Sequence, residues 1–392
     1  MANQAKPEIP QSTAELTAKY LTKTVGPKYG GGTVTAVSTE QIGQGIGFMG
    51  ELQRCHLQWS GASADAPSSV IAKLPAQPGN NRSLGEALQA YAREIRVYSG
   101  LRDDLGIPMP AYMYSEMDPN RAPWLERVFV FLFDKLPLAG VSWLLNRLIK
   151  LSGTQLRRYL LIMEDISDAR PPSQEAGGTI DDAVAGLQVL ARFHATNWMA
   201  QAKVDAEPIL WSIGRTPKVV QASYSRNRDK FMERFGSLLG PARITKMDQV
   251  QANTPELIGQ LAAAPWTLIH GDYRLDNLLF RPNGDVVVVD FQGVGTGRAG
   301  WDVAYFITTA LEPHHRVEEE QLLRAYHEAL VGEGITDYSY EALVVDCDLT
   351  KDLLAHRLVA GDDLLDTDRA GEDEDLLDVL VGRVAGWTDS VS

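Results

Sequence analysis

The feature that most constrains the fold is a polar stretch between apolar runs, His-Gly-Asp-Tyr-Arg-Leu-Asp-Asn at positions 270–277. The apolar run Val286–Val289 follows this stretch and leads into Asp290-Phe291-Gln292. Asp272 and Asn277 lie five residues apart on one expected loop, so both side chains can face the same ligand. Phosphoryl transfer needs a carboxylate that deprotonates a hydroxyl and oxygen ligands that hold Mg²⁺ on the phosphates. The pattern therefore predicts a phosphoryl-transfer site; ordinary turn residues of a hairpin are the competing interpretation.

A glycine-rich segment joins two strand-like runs near the N-terminus, Thr33–Ile42 and Glu51–Trp59. Its Gly-x-Gly-x-x-Gly pattern falls on Gly45, Gly47 and Gly50. A dinucleotide-binding fold would require a helix directly after these glycines, and here a strand follows. The segment therefore predicts a loop that folds over the phosphates of ATP, where glycines let backbone amides approach closely. A glycine hairpin without a ligand is the alternative.

A lysine on the third predicted strand needs an acidic partner. Val70–Leu74 is an apolar run that contains Lys73, and a charge in such a position is costly unless it is paired. The following segment, Ser83–Leu101, has apolar residues at helical spacing and predicts one helix. Glu94 on that helix is the favoured partner and Glu86 the competing one. The pair would direct Lys73 toward the α- and β-phosphates.

The ordered set resembles the catalytic and metal loops of the protein-kinase-like fold. His-Gly-Asp and Asp-Phe-Gln look like the aminoglycoside phosphotransferase and choline kinase superfamily, closest to its ecdysteroid-kinase-like and bacterial phosphotransferase branches. By this resemblance Asp272 is the catalytic base, and Asn277 and Asp290 hold Mg²⁺. Arg274 takes the place of a phosphate-facing lysine. His270 supports the backbone of Asp290.

Further segments resemble other parts of that fold, over roughly residues 30 to 390. Met163, Glu164 and Asp165 resemble the hinge, whose backbone would hydrogen-bond the adenine of ATP. Asp302 resembles the residue that holds the backbone of the catalytic loop, although an acid in the first turn of a helix is the simpler interpretation. His194 is expected to be a core histidine.

The predicted architecture is α+β, a two-lobed protein-kinase-like fold with a β-rich N-lobe and a mostly helical C-lobe. We expect an N-terminal arm at 1–29, an N-lobe at 30–165 and a C-lobe at 166–392 that carries the catalytic and metal loops. A helical insertion near 123–153 is expected to pack on the N-lobe. A lid, a dimer contact or a substrate wall are its other possible roles.

Charge and composition exclude several classes of protein. The formal net charge is -14, which disfavours nucleic acid and anionic membranes as partners. Nine acidic residues and one basic residue lie between Asp362 and Asp378, and a solvated face is favoured there over a site for a cationic substrate. The two cysteines cannot form a disulfide framework. No apolar run is long enough to span a membrane, and no signal-peptide pattern is present, so we expect a cytoplasmic protein.

The resemblance implies an enzyme that uses ATP and Mg²⁺ to phosphorylate a hydroxyl of a small molecule. The acceptor would be of the aminoglycoside, amino alcohol, sterol or hydroxyacyl thioester type. A protein kinase is disfavoured because Asp302 follows Asp290 by only twelve residues and no Ala-Pro-Glu motif is present. A regulatory pseudokinase is disfavoured because Lys73, Asp272, Asn277 and Asp290 are all present.

Overall fold

The structure, a computed structural model, describes residues 8–43, 50–120, 123–152, 156–361 and 376–387. The fold is mixed α+β, as predicted, and the chain divides into two compact units. The first unit comprises Met1–Arg102, Met109–Arg121 and Ile149–Ser167. The second comprises Asp103–Pro108, Ala122–Leu148 and Asp168–Ser392. Within the described ranges, no helix has both the length and the apolar character that a membrane crossing requires.

The first unit is built on an antiparallel five-stranded sheet with the strand order β1-β2-β3-β5-β4. Its strands are β1 (Thr33–Ile42), β2 (Gly50–Ser60), β3 (Ser69–Pro75), β4 (Tyr112–Met117) and β5 (Tyr159–Glu164). On β3, Val70, Ala72 and Leu74 pack into a core with α1 (Ala18–Thr24). Because strand side chains alternate between faces, Lys73 lies on the opposite face of the sheet from this core.

The segment predicted as one helix over Ser83–Leu101 is broken in the structure. It forms α2 (Asn80–Ala87), α3 (Ala90–Arg96) and a π-helical turn at Val97–Leu101. Gln89 separates the two helices with a left-handed φ of 54°, which interrupts the helical path. The break gives the two acidic candidates different surroundings, because Glu86 ends up on α2 and Glu94 on α3.

The second unit is mostly helical. Its helices are α4 (Pro123–Lys135), α5 (Leu138–Ser152), α6 (Ile180–Thr196), α7 (Gln201–Ala206), α8 (Pro217–Ala262), α9 (Gly300–Ala310), α10 (Glu319–Gly332), α11 (Tyr340–Gly361) and α12 (Leu376–Trp387). Helix α8 consists of two helical segments, since Gly240 has φ 73° and ψ 162° and Pro241 follows it. Helix α11 packs against both α8 and α9, and this packing places α11 beside the loops described below.

Short strands interrupt these helices. A three-stranded sheet has the order β6-β10-β7 and uses β6 (Trp211–Ser212), β7 (Thr267–Ile269) and β10 (Gly295–Gly297). An antiparallel pair forms from β8 (Leu278–Phe280) and β9 (Val286–Val288). The polar motif of the sequence lies between β7 and β8.

The insertion near 123–153 is helical, as expected, but its packing differs from the expectation. Phe133, Val141 and Leu144 form a small core with Ala222 of α8. The Lys218 ammonium of α8 also donates to the Asp134 carbonyl at 2.6 Å. Most of the insertion therefore belongs to the helical unit rather than to the β-rich unit. The physical reason is that its apolar face meets the apolar start of α8.

Candidate active site

Two loops that leave short strands bring the predicted catalytic and metal residues together. The Val289 amide donates to the Asn277 carbonyl at 3.0 Å, which places the backbone of Asp290 next to that of Asn277. Asp290 follows with a left-handed φ of 65°. This conformation is unfavourable for a residue with a Cβ and is mainly kept where surrounding structure enforces it, often at functional sites.

A close approach of two glycines holds these loops against each other. Gly271 has φ +80°, and a Cβ at this position would lie 2.4 Å from the Gly293 carbonyl oxygen. Any side chain would therefore separate the loop of Asp272 from the loop of Asp290. The glycine in the His-Gly-Asp motif is required by this contact and by its backbone conformation.

Asp302 fixes the backbone in front of the predicted base. Its carboxylate is fully buried in the first turn of α9 and accepts hydrogen bonds from two backbone amides. The His270 amide donates to Oδ2 at 2.6 Å and the Gly271 amide donates to Oδ1 at 3.0 Å. This is the contact that the resemblance implied for Asp302.

Two histidines support the same region. His194 is fully buried, with Nδ1 2.6 Å from the Tyr326 hydroxyl and Nε2 3.3 Å from Asp302 Oδ2. It is a core histidine, as expected. His270 Nε2 lies 3.0 Å from the Val289 carbonyl oxygen, so the imidazole supports the backbone one residue before Asp290.

The carboxylate of Asp272 is surrounded by three hydrogen-bond donors while about a third of the side chain stays exposed. The Tyr305 hydroxyl donates to Oδ1 at 2.8 Å, and Arg274 Nε and Asn277 Nδ2 donate to Oδ2 at 3.3 and 3.2 Å. Desolvation by burial alone would raise the pKa of Asp272, but Arg274 and Tyr305 outweigh it and hold the pKa below its ordinary value. The carboxylate is therefore ionised at neutral pH and able to accept a proton.

Tyr305 is the member of this group that sequence reasoning missed. Burial and the nearby charge of Asp272 raise the pKa of its phenol well above the ordinary value, so the phenol keeps its proton and donates. Tyr305 follows Asp302 by three residues on α9, and helical residues at this spacing lie side by side. This spacing could have predicted that Tyr305 lies near the loop that Asp302 contacts.

Arg274, which was predicted to face phosphate, lies beside two carboxylates. Its side chain is only 6% exposed and pairs with the carboxylates of Asp272 and Asp276. Burial disfavours the charged form, but these two carboxylates outweigh it and raise the pKa of Arg274. Because donors of its guanidinium are directed to carboxylates, Arg274 orients the predicted base; its contact with phosphate stays a prediction.

Asn277 and Asp290 have suitable chemistry for Mg²⁺. The Asn277 amide nitrogen donates to the Asp272 carbonyl at 2.8 Å as well as to its carboxylate. With the nitrogen engaged, the amide oxygen faces away from Asp272 and can act as a ligand. An amide oxygen and a carboxylate are hard oxygen ligands, which Mg²⁺ prefers in combination with phosphates and water. The two residues therefore fit a magnesium site.

The first unit contains the lysine–glutamate pair. Lys73 Nζ donates to Glu94 Oε1 at 2.8 Å, and the two side chains are 11% and 4% exposed. Glu86, the competing candidate, instead accepts from the Tyr159 hydroxyl at 2.9 Å and from Arg157 Nε at 3.1 Å. The geometry thus separates a glutamate that pairs with Lys73 from one that stabilises the β-rich unit.

The segment compared with a hinge lies at the end of β5. Met163 is buried, and Glu164 pairs with Ala111 through its backbone amide and its carboxylate, both at 2.9 Å. Asp165 accepts from Arg54 Nε at 2.8 Å and from Ser69 at 2.6 Å. The acidic side chains of this segment therefore stabilise the first unit, which leaves only backbone groups for a nucleotide.

The predicted glycine loop is described only at its end. Gly45 and Gly47 lie outside the described residues, and Gly50 is the first residue of β2. A Cβ on Gly50 would lie 3.2 Å from the Lys73 side chain. Gly50 therefore permits the close packing of β2 against the lysine.

Comparisons with known proteins agree with the resemblance. The sequence model of the ecdysteroid kinase-like family matches residues 144–335, a range that includes Asp272, Asn277 and Asp290. Among proteins with curated annotation, none matches this sequence.

Solved structures are similar over nearly the whole chain. A mutant of aminoglycoside 2'-phosphotransferase IIIa in complex with GDP has a TM-score of 0.53 and 13% identity, over 94% of this chain and 97% of that chain. The wild-type GDP complex has a TM-score of 0.50 and 12% identity, over 94% and 98%. An ethanolamine kinase from Plasmodium vivax has a TM-score of 0.48 and 9% identity, over 90% and 82%. The chain thus has the protein-kinase-like fold of the two aminoglycoside 2'-phosphotransferase structures, and the resemblance predicted from its motifs is confirmed, with residues 144–335 matching the ecdysteroid kinase-like family.

Proposed function

We propose that this protein transfers the γ-phosphate of ATP to a hydroxyl of a small molecule in a Mg²⁺-dependent reaction. The family match and the fold support a small-molecule phosphotransferase in general. The observation that carries the finer proposal is the carboxylate of Asp272, oriented by Tyr305, Arg274 and Asn277 on a loop that Asp302 anchors.

Asp272 acts as the general base. One oxygen is held by the Tyr305 phenol and the other by Arg274 and Asn277, so the carboxylate has little rotational freedom. It accepts the proton of the acceptor alcohol as the oxygen attacks phosphorus. A positioned base of this kind contributes roughly 10²–10⁴-fold to the rate.

Asn277 and Asp290 would hold Mg²⁺ through the Asn277 amide oxygen and the Asp290 carboxylate. The metal, when bound, neutralises charge on the phosphates. The hydrogen bond from the Val289 amide to the Asn277 carbonyl keeps the backbones of the two residues adjacent before nucleotide binds, which would reduce the entropy lost on assembling the site.

Lys73 would contact the α- and β-phosphates of ATP. Glu94 holds the ammonium in one place, and both side chains lie in a nearly buried setting where a charge interacts strongly with phosphate. The backbone at Met163, Glu164 and Asp165 would contact the adenine, and Gly45, Gly47 and Gly50 would lie over the phosphates. The reaction would take place where ATP is abundant, as in the cytoplasm.

A pseudokinase is the second candidate, because a lysine–glutamate pair can serve nucleotide binding without catalysis. The geometry at Asp272 favours an enzyme, since a binding protein has no need of a carboxylate kept ionised by several donors. A protein kinase is less well supported because α9 begins at Gly300, ten residues after Asp290. That interval is short for a segment that binds a peptide.

An acceptor screen tests the proposal. Purified protein is incubated with Mg·ATP and alcohols of several classes (aminoglycosides, amino alcohols, sterols and hydroxyacyl thioesters), and ADP and the phosphorylated product are measured. We expect product with at least one class, only when Mg²⁺ is present. Nucleotide binding without product in any class favours the pseudokinase, and product on a Ser/Thr peptide alone favours a protein kinase.

A further inference from the structure

An arginine on α11 lies beside the predicted base without an acidic partner among the described residues. The guanidinium of Arg357 stacks over the ring of Trp301 on α9, with its central carbon 4.7 Å from the ring centroid. The residue is exposed, although its neighbours Ala355 and His356 are buried. Trp301 itself is only 3% exposed, so the ring is a fixed platform for the guanidinium.

Helix α9 connects this arginine to the catalytic carboxylate. Trp301 and Tyr305 are four residues apart and therefore lie on one face of the helix. Trp301 contacts Arg357, and the Tyr305 hydroxyl donates to Asp272 at 2.8 Å. Four residues correspond to a rise of about 6 Å along a helix. The guanidinium and the base therefore contact neighbouring side chains on the same face of α9.

The electrostatics of both groups agree with this proximity. Desolvation by the surrounding protein lowers the pKa of Arg357, while the charges of Tyr305 and Asp272 act in the opposite direction. Arg357 in turn lowers the raised pKa of the Tyr305 phenol. The guanidinium of Arg357 is exposed and the side chain of Tyr305 is partly exposed, so both reach the surface of the second unit. A cation in such a place attracts an anion and repels a second cation.

We propose that Arg357 is a specificity residue that binds an anionic group of the acceptor while the acceptor's hydroxyl reaches Asp272. The inference rests on the proposed phosphotransferase function and narrows its substrate class. The acceptor is a hydroxy acid or another alcohol with a carboxylate or phosphate group that contacts Arg357 while the hydroxyl lies at Asp272. Polycationic aminoglycosides and choline-like amino alcohols are disfavoured, because their charge would face the guanidinium.

Matched pairs of acceptors provide the test. The ω-hydroxy acids 4-hydroxybutyrate and 6-hydroxyhexanoate are compared with 4-aminobutan-1-ol and 6-aminohexan-1-ol, which have similar lengths and the opposite charge. For each, kcat/KM is measured by ADP formation with wild type, Arg357→Ala, Arg357→Lys and Arg357→Glu. Arg324→Ala is the control, because Arg324 is also an arginine over an aromatic ring, 4.4 Å from the centroid of Tyr340. Binding of the hydroxy acids with ADP and Mg²⁺ is measured separately by calorimetry.

We expect wild type to prefer the hydroxy acids and Arg357→Ala to lose about 10- to 100-fold of that preference, as for one charge-assisted hydrogen-bonded pair. Arg357→Lys should retain part of the preference, since an ammonium keeps the charge but not the planar fork of donors. Arg357→Glu should favour the amino alcohols, and Arg324→Ala should behave as wild type.

The outcomes separate this inference from the proposed function. Equal kcat/KM for the two charge types in wild type, or an unchanged ratio in Arg357→Ala, overturns the role of Arg357 while the phosphotransferase activity stands. Hydroxy-acid binding that depends on Arg357 without ADP formation supports the anion site and contradicts the activity. If the hydroxy acids are neither bound nor turned over, the anion site is overturned, whatever the result with the amino alcohols.

Discussion

Replacing Asp302 by alanine should both destabilise the helical unit and impair catalysis. Its carboxylate is fully buried and accepts from the amides of His270 and Gly271. Alanine would leave both donors without an acceptor. Hydrogen bonds to a charged group contribute roughly 1.5–3 kcal/mol each, and loss of one partner from a buried charged network costs about 3–5 kcal/mol. We therefore expect a loss of about 4 kcal/mol in the free energy of unfolding.

The same change should displace Asp272, because the two amides lie in the residues just before it. A shift of the base by about 1 Å is expected to lower kcat by roughly 10²-fold. Asp302→Asn should fall between wild type and alanine, since an amide oxygen can accept from one amide while its nitrogen opposes the other.

Urea unfolding followed by fluorescence and circular dichroism, together with steady-state kinetics, measures both effects. Asp229→Ala is the matched control, because this aspartate is fully exposed and is expected to change neither quantity. An Asp302→Ala protein with the urea midpoint and kcat of wild type would refute the reasoning that Asp302 anchors the catalytic loop.

Three further predictions concern single positions. Gly271→Ala should lower the free energy of unfolding by about 3 kcal/mol or more and abolish turnover. Gly284 has φ +91° but no atom within 4 Å of a new Cβ, so Gly284→Ala should lower it by only about 1 kcal/mol; urea midpoints compare the two variants. Glu94→Gln should weaken ATP binding, measured by calorimetry, while Glu86→Gln should lower stability and leave ATP affinity unchanged. Burial, with the charge of Arg357, lowers the pKa of His356 to about 3, so the folded protein favours the neutral imidazole. The stability that His356 contributes is therefore complete above pH 6.5 and is lost as the pH falls toward 3. This loss should reach about 3 kcal/mol at pH 4 and be absent in His356→Asn, and a variant with the same pH dependence as wild type contradicts the assignment.

Local patterns predicted the strands well because each has its own alternation. Strand β1 begins and ends where the sequence indicated, and β2 and β3 extend the predicted runs by one residue at each end. Local patterns failed at one helix boundary. The helix over Ser83–Leu101 breaks at Gln89, a residue with no special turn preference.

At the candidate site, spacing predicted which residues come together but not what each side chain contacts. The approach of Asn277 to Asp272 and the anchoring of the loop by Asp302 follow from motif order. The burial of Arg274 does not, because it depends on a second carboxylate, Asp276, whose position requires the folded loop. The proximity of Arg357 to the site could not be predicted for a similar reason. Arg357 lies 85 residues after Asp272 and reaches the site because α11 packs on α9.

The most direct test of the central claim is the rate of phosphoryl transfer in Asp272→Asn under single-turnover conditions, with the best acceptor from the screen. Asparagine keeps the shape of the side chain, so nucleotide affinity should stay near that of wild type. It cannot accept the proton of the alcohol, so the transfer step should be slow. We predict a transfer rate roughly 10²–10⁴-fold below wild type. A rate equal to that of wild type, with nucleotide still bound, would contradict the assignment of Asp272 as the catalytic base.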